Sequence, residues 1–159
     1  MSVPPGNRGK STMQFVETAD RIEQRTMQIC RRWPKAYMFI ITQRTLTLAS
    51  EIYEHAQKAN AIFPKDEEER ALRIRELDMA LGALYAYARK IERAYSMFPI
   101  CGEKKGVSES ELEIKSNNVL KELMDMCLDE EEALKGNLHY TRSLDLTNRQ
   151  KPSNSDKPS

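Results

Sequence analysis

The strongest constraint on the fold is a long apolar stripe at helical spacing in the middle of the chain. Its members recur every three or four residues. They are Ile74, Leu77, Leu81, Leu84, Ala88, Ile91, Tyr95 and Phe98. A helix that is apolar along one face must bury that face against other elements. The pattern therefore favours a helical domain over a β-sandwich, in which turn signals recur every ~8–12 residues.

Three further stripes of the same kind predict three more helices. The first contains Phe15, Ala19, Ile22, Thr26, Ile29 and Trp33. The second contains Met38, Ile41, Thr45, Leu48, Ile52, Ala56 and Ala59. The last contains Leu112, Ser116, Val119, Leu123, Met126 and Leu134. Four amphipathic helices with short connections pack most economically as a bundle. The predicted fold is all-α, an antiparallel up-down four-helix bundle with disordered N- and C-terminal tails.

Capping residues and prolines set the predicted helix boundaries. Capping boxes at the starts of three helices are Ser11 with Gln14, Asp66 with Glu69, and Ser108 with Glu111. The predicted stops are Trp33-Pro34, Phe63-Pro64 and Phe98-Pro99, each aromatic closing one end of the core, and Gly136 for the last helix. The bundle is thus expected over residues 11–142. Residues 1–10 and 143–159 are expected to be the disordered tails.

Cysteine usage and hydropathy favour a cytoplasmic protein that does not enter a membrane. No uncharged apolar run approaches the ~20 residues of a membrane span, and the N-terminus lacks the apolar stretch of a signal peptide. The three cysteines show no CxxC spacing, which suits free thiols in a reducing compartment. Cys30 and Cys127 fall on apolar stripes, so we expect them to be buried and inert.

Candidate catalytic and cofactor-binding residues are few, and the sequence predicts neither an enzyme nor a cofactor or metal site. His55 and His139 have no carboxylate or cysteine at ligand spacing. The segment Gly9-Lys10-Ser11-Thr12 imitates the end of a P-loop, but the preceding strand and the earlier glycine are missing. The acidic residues are expected on outward faces, which leaves no carboxylate pair for acid-base catalysis.

Charge is unevenly spread although the formal net charge is only +1. No acidic residue lies between Glu23 and Glu51. That gap contains Arg25, Arg31, Arg32, Lys35 and Arg44. Such a patch can contact phosphates, and a less favoured interpretation is that it binds an acidic protein surface. A third interpretation is a solvated face whose cations pair with acids on the next helix.

Part of the chain resembles a family of small bacterial four-helix-bundle proteins. The motifs concerned are Trp33-Pro34-Lys35-Ala36-Tyr37, Thr42-Gln43-Arg44, Glu51-Ile52-Tyr53, Ala59-Asn60 and Phe63-Pro64. They are similar to the accessory variability determinant (Avd) proteins of diversity-generating retroelements. A related branch is encoded in intervening sequences of ribosomal RNA genes. The similarity covers residues 12–135.

The resemblance implies a homopentamer that binds the element's reverse transcriptase and its template RNA, and that supports mutagenic cDNA synthesis without doing chemistry itself. For nucleic-acid or partner binding it points first to Lys35, Arg44, Arg31 and Arg32, and second to Arg70 and Arg73. Arg25 is added as a candidate from the basic gap. Tyr85 and Tyr87 lie outside the main stripe and could face neighbouring subunits. The alternative function is a structural or protein-interaction bundle without a nucleic-acid role, which the near-zero net charge permits.

Overall fold

The protein is a four-helix bundle. The structure is a computed structural model that describes the backbone of residues 5–101 and 108–147 and the side chains of 13–97 and 108–147. Its helices are α1 (Pro5–Cys30), α2 (Gln43–Ala61), α3 (Glu67–Cys101) and α4 (Glu109–Ser143). Each helix packs against the next, and α1 also contacts α4 and closes the bundle. No strand occurs in the described ranges, and the predicted all-α, up-down bundle is confirmed.

The predicted stripes form one core. All six members of the first stripe are buried, and Ile52, Leu84 and Leu123 from the other helices are fully covered. Each such side chain contributes about 1.5–3 kcal/mol relative to an exposed position. Tyr87 was expected outside the stripe, but it is fully buried and its hydroxyl lies 2.6 Å from Thr26 Oγ1. Tyr87 therefore cannot face a neighbouring subunit.

The connection between α1 and α2 is irregular, and it includes Met38, with which the predicted second stripe begins. A 3₁₀ turn (Lys35–Tyr37) is followed by a π turn (Met38–Thr42) before α2 begins. The π turn hydrogen-bonds each residue to the fifth one before it, which shifts the helical phase. As a result Ile41 is buried, whereas Met38 is exposed and does not belong to the core stripe as predicted.

Two predicted helix starts are confirmed by their caps. The Glu69 backbone N–H donates to Asp66 Oδ1 at 2.8 Å, and the Glu111 N–H donates to Ser108 Oγ at 3.3 Å. The start of the first helix is different, because α1 begins at Pro5 and passes through Ser11. The predicted tail over residues 1–10 therefore overlaps α1 from Pro5 onward.

Two predicted stops are different in the structure, whereas α2 ends at Ala61, just before Phe63-Pro64, as predicted. The α3 backbone continues through Pro99 to Cys101, and α4 continues through Gly136 to Ser143. Phe63 precedes its proline as expected, but its side chain is exposed and does not close the core. The Phe98 side chain and the predicted C-terminal tail beyond Thr147 lie outside the described residues.

Gly82 and Gly136 occupy exposed helical positions. Apart from its chain neighbours and its own helix backbone, a Cβ added at either site would meet no atom of the described residues within 4 Å. Glycine inside a helix costs ~0.5–1 kcal/mol relative to alanine, because its backbone loses more freedom on folding. Gly82→Ala and Gly136→Ala are each expected to raise the free energy of unfolding by about that amount in urea titrations. The reverse substitution Ala86→Gly, on the same exposed face of α3, should lower it. A loss of stability in both alanine variants would contradict the open surface described here.

Candidate interaction surfaces

Arg25 and Arg44 are paired within the chain. The Nε and Nη2 atoms of Arg25 on α1 donate to the two carboxylate oxygens of Glu122 on α4, each at 2.9 Å. This bidentate contact raises the pKa of Arg25 above its ordinary value. Arg44 lies 3.5 Å from Glu51 on the same helix. Both cations are paired with acids, as in the third interpretation of the basic gap, although Arg44 meets an acid of its own helix and not one of the next helix.

Arg73 is a buried structural residue rather than the predicted surface contact. Its side chain is 5% exposed, and Nη1 donates to the backbone carbonyls of Ala59 and Ile62 at 2.7 and 2.8 Å. Nε donates to Thr141 Oγ1 on α4 at 3.1 Å. The last carbonyls of a helix lack intrahelical partners, and Arg73 satisfies them at the end of α2. Burial lowers the pKa of Arg73.

Arg70 is also held within the chain. It pairs with Glu67 one turn earlier at 3.1 Å, and its Nη2 donates to the backbone carbonyl of Leu144 just beyond α4. The side chain is mostly covered by these contacts. Arg70 therefore fixes the end of α4 against α3, and it is poorly placed for the partner contact that the sequence suggested.

The remaining predicted cations lie together between α1 and α2. Arg31, Arg32 and Lys35 are exposed, and within the described part of the chain their side chains make no ion pair or hydrogen bond. Next to them along the chain, Phe39 is 84% and Ile40 69% exposed. We call the group the corner patch; it consists of Arg31, Arg32, Lys35, Met38, Phe39 and Ile40. It combines positive charge with an apolar surface.

An acidic surface with an apolar centre lies on the outer face of α4. Leu128 is 62% exposed, and Asp125, Asp129 and Glu132 surround it within about one helical turn. These carboxylates have no ion pair among the described residues, whereas the nearby Glu131 is bound by Lys135 and by the hydroxyl of Tyr85. The name α4 acidic patch is used for Asp125, Leu128, Asp129 and Glu132 together.

A basic concave surface on α3 was not predicted. An open cavity of about 550 Å³ has as its described walls Ala86, Arg89, Lys90, Glu92, Arg93 and Ser96. The single acid, Glu92, lies 3.4 Å from Arg89. We call this surface the α3 groove. The sequence does contain an indication of this surface, because three basic residues lie within five consecutive positions of the helix and Arg89 and Arg93 are spaced to share one face.

Glu130 departs furthest from the prediction that acids face outward. Its side chain is 0% exposed, and neither carboxylate oxygen has a hydrogen-bond partner among the residues that the structure describes. Burial raises the pKa of Glu130 to about 9. The signal was present in the sequence, since Glu130 continues the spacing of Leu123, Cys127 and Leu134 on the buried face of α4.

The groups capable of chemistry are dispersed. Cys30 and Cys127 are buried as predicted, and burial raises the pKa of each thiol to about 12, so neither is a thiolate at neutral pH. His55 has a carboxylate partner that its sequence spacing did not reveal, because Glu76 on α3 lies 2.6 Å from Nδ1. Within the described residues, no three or more His, Cys, Asp or Glu side chains are grouped to hold a metal ion.

The fold and surfaces define a class: a small four-helix bundle with separate basic, acidic and apolar patches on its exterior. None of the helices in the described part of the chain combines the length and apolar character that a membrane crossing requires. No protein-family model, curated protein or solved structure matches the chain.

Proposed function

We propose that the protein is a non-catalytic accessory protein of a diversity-generating retroelement, and that it binds the reverse transcriptase and its template RNA as a homo-oligomer in the cytoplasm. The resemblance of residues 12–135 to the Avd proteins suggests this function. The observation that carries its RNA-binding part is the α3 groove, whose described walls place three cations and one acid around an open cavity.

The α3 groove suits a phosphate backbone. Arg89 and Arg93 are one helical turn apart, about 6 Å along the axis, so they can contact neighbouring phosphates of one strand. Arginine forms charge-assisted, often bidentate hydrogen bonds with phosphate oxygens. Such contacts hold a nucleic acid in register without reading its sequence. Specificity for the template RNA would then come from its shape or from the polymerase.

Assembly of several copies strengthens this proposal. One copy carries a formal net charge of only +1, so a single chain attracts a polyanion weakly over distance. Several copies that each present Arg89, Lys90 and Arg93 would join these small basic surfaces into a larger one. Binding of one long RNA to several such surfaces gains affinity through effective concentration.

The test compares binding of the template RNA by the wild type and by the triple variant Arg89→Ala, Lys90→Ala, Arg93→Ala, in filter-binding titrations at several salt concentrations. We expect at least about tenfold weaker binding near 0.1 M salt. The slope of log K against log salt should become shallower by about 2, because each lost phosphate contact removes ~0.7 for a single strand.

A matched control removes the same charge elsewhere. Lys58→Ala, Lys65→Ala and Arg75→Ala together alter three exposed cations outside the groove. This variant should keep most of its affinity. Equal losses in both triple variants would show a net-charge effect and would reject the groove, and unchanged binding by the groove variant would reject it as well. Co-purification with the reverse transcriptase tests the protein-binding part separately.

A second candidate function is a protein-interaction bundle with no nucleic-acid role. It is favoured by the pairing of Arg25 with Glu122 and of Arg44 with Glu51, which neutralises part of the basic gap inside the chain. On this alternative, the wild type still self-associates but binds neither the template RNA nor unrelated RNA at moderate salt.

A further inference from the structure

We infer that the corner patch of one copy docks on the α4 acidic patch of a second copy of this chain. The inference rests on the homo-oligomer of the proposed function and assigns the surfaces that would build it. Three observations carry it: exposed apolar side chains at the corner, complementary unpaired charges, and a separation that prevents the two patches from meeting within one chain.

The exposed apolar side chains of the corner patch are consecutive. Met38, Phe39 and Ile40 follow one another, and Phe39 and Ile40 are the most exposed aromatic and the most exposed aliphatic residue among the large apolar side chains described. Single exposed apolar residues are ordinary, but a contiguous group bordered by charge marks an interaction surface. The π turn between the 3₁₀ turn and α2 places them outside the core, so the core does not require their apolar character.

The charges of the two patches are complementary in sign and number. The corner patch contributes Arg31, Arg32 and Lys35, and the α4 acidic patch contributes Asp125, Asp129 and Glu132. Charged residues near the two patches are already in ion pairs within the chain, since Arg25 binds Glu122 and Lys135 binds Glu131. Opposed patches of this kind guide association and set its orientation, while apolar contacts at the centre contribute affinity. Phe39 and Ile40 on one side and Leu128 on the other would form that centre.

The two patches cannot meet within one chain. The Arg25–Glu122 pair fixes the level of α1 against antiparallel α4. Arg32 lies seven residues after Arg25, and this displacement runs toward the beginning of α4 because the two helices are antiparallel. Asp129 lies seven residues after Glu122, which is a displacement in the opposite direction along the bundle. At 1.5 Å per residue the two levels are about 20 Å apart. Only a second molecule can therefore bring the two sets of charges together.

The principal test measures the mass of the full chain in solution, without RNA, over a range of concentrations. The corner variant carries Arg31→Glu, Arg32→Glu and Lys35→Glu, and the α4 variant carries Asp125→Lys, Asp129→Lys and Glu132→Lys. We expect the wild type to associate. Each variant alone should stay monomeric at concentrations at least about tenfold higher than those at which the wild type associates, because like charges then face each other.

Restored complementarity gives the sharpest result. An equimolar mixture of the two variants should associate, because every contact between unlike molecules again joins opposite charges. A chain carrying all six reversals should associate on its own. A wild type that remains monomeric, a single variant that associates like the wild type, or a mixture that stays monomeric would each overturn the inference. Retained helical circular dichroism and a wild-type-like urea midpoint exclude unfolding as the cause.

Apolar variants test the centre of the contact. Phe39→Ser with Ile40→Ser should weaken association about tenfold or more, whereas Leu72→Ser with Met79→Ser, two exposed positions on α3, should leave it unchanged. Equal effects of the two pairs would overturn the role of the corner. An additional variant, Glu109→Lys with Glu111→Lys, tests two exposed acids in the first turn of α4. Loss of association in it alone would assign the contact to the start of that helix and reject the α4 acidic patch.

The interface and the proposed function can fail separately. Self-association with no RNA binding by any variant would retain the interface and remove the RNA-binding role. Normal RNA binding by the α3 groove in a protein that is monomeric at all concentrations would remove the interface and retain the groove.

Discussion

Glu130→Gln is expected to raise the free energy of unfolding at pH 7 by on the order of 3 kcal/mol. The Glu130 carboxyl has no hydrogen-bond partner within the described parts of the chain, and burial raises its pKa to about 9, so the folded protein keeps it protonated at neutral pH. The unfolded chain ionises the same group near its ordinary pKa of 4.5. This difference favours the unfolded state at pH 7 by ~1.4 kcal/mol for each pH unit above 4.5, and glutamine removes it.

The same substitution should remove a pH dependence. Between pH 4.5 and 9 the folded protein binds one more proton at Glu130 than the unfolded chain does, so the wild type loses stability as pH rises through this range. Below pH 4.5 both states are protonated and the variant should match the wild type. Urea titrations at pH 5, 7 and 8.5 should therefore show a gap between the two proteins that widens with pH.

A control is provided by Glu54→Gln, an exposed glutamate on α2. It should change the free energy of unfolding by no more than about 0.5 kcal/mol at any of these pH values. A Glu130→Gln protein that is less stable than the wild type at pH 8.5, or whose advantage does not change with pH, would contradict a buried, unpaired Glu130.

Arg73→Met is expected to lower the free energy of unfolding by about 3 kcal/mol. Methionine keeps most of the apolar stem but removes the arginine donor of the Ile62 carbonyl and the second donor of the Ala59 carbonyl, which then keeps only the Ile62 N–H. Thr141 on α4 loses Arg73 Nε but still donates to the Asn137 carbonyl. Each unsatisfied buried group costs ~1–3 kcal/mol. Urea titration and thermal melting measure the loss. Arg75→Met, two residues along α3 and exposed, is the matched control and should be nearly neutral.

Binding measurements separate this structural role from the surface role that the sequence suggested for Arg73. At a temperature where Arg73→Met remains folded, its affinity for the template RNA and its self-association should equal those of the wild type. A stable Arg73→Met protein with impaired binding would reverse the assignment, since it would place Arg73 in a contact surface and not under the end of α2.

The helices could be predicted because their apolar stripes are long and the bundle core buries them along most of their length. The stripe from Phe15 to Trp33 is buried throughout, and the caps at Asp66 and Ser108 form as predicted. Prolines and glycines alone were weaker guides: α3 continues past Pro99, and α4 continues past Gly136, where the helix has open space. Neighbouring turns of a long helix can outweigh the local preference of one residue.

The candidate surfaces were harder to predict because a sequence does not show which group each charged side chain contacts in the folded protein. Arg73 and Arg70 bind backbone carbonyls, which leave no sequence signature, and Arg25 meets Glu122 only when the bundle closes. The outward position of Phe39 depends on the π turn, whose register is set by the burial of Ile41 and Thr42. The spacing of Glu130 did place it on the buried face, but its charge favoured the opposite interpretation.

Trp33 gives the protein a built-in optical reporter. It is the single tryptophan of the sequence, it is nearly covered, and its ring meets Tyr95 edge-on with centroids 6.0 Å apart. Because Trp33 lies between Arg32 and Lys35, all intrinsic indole emission comes from the segment that carries the corner patch. Titrations followed by tryptophan fluorescence therefore observe that end of the bundle alone, without any label. Because the Trp33 ring packs on Tyr95 of α3, the indole emission also responds when this contact is lost.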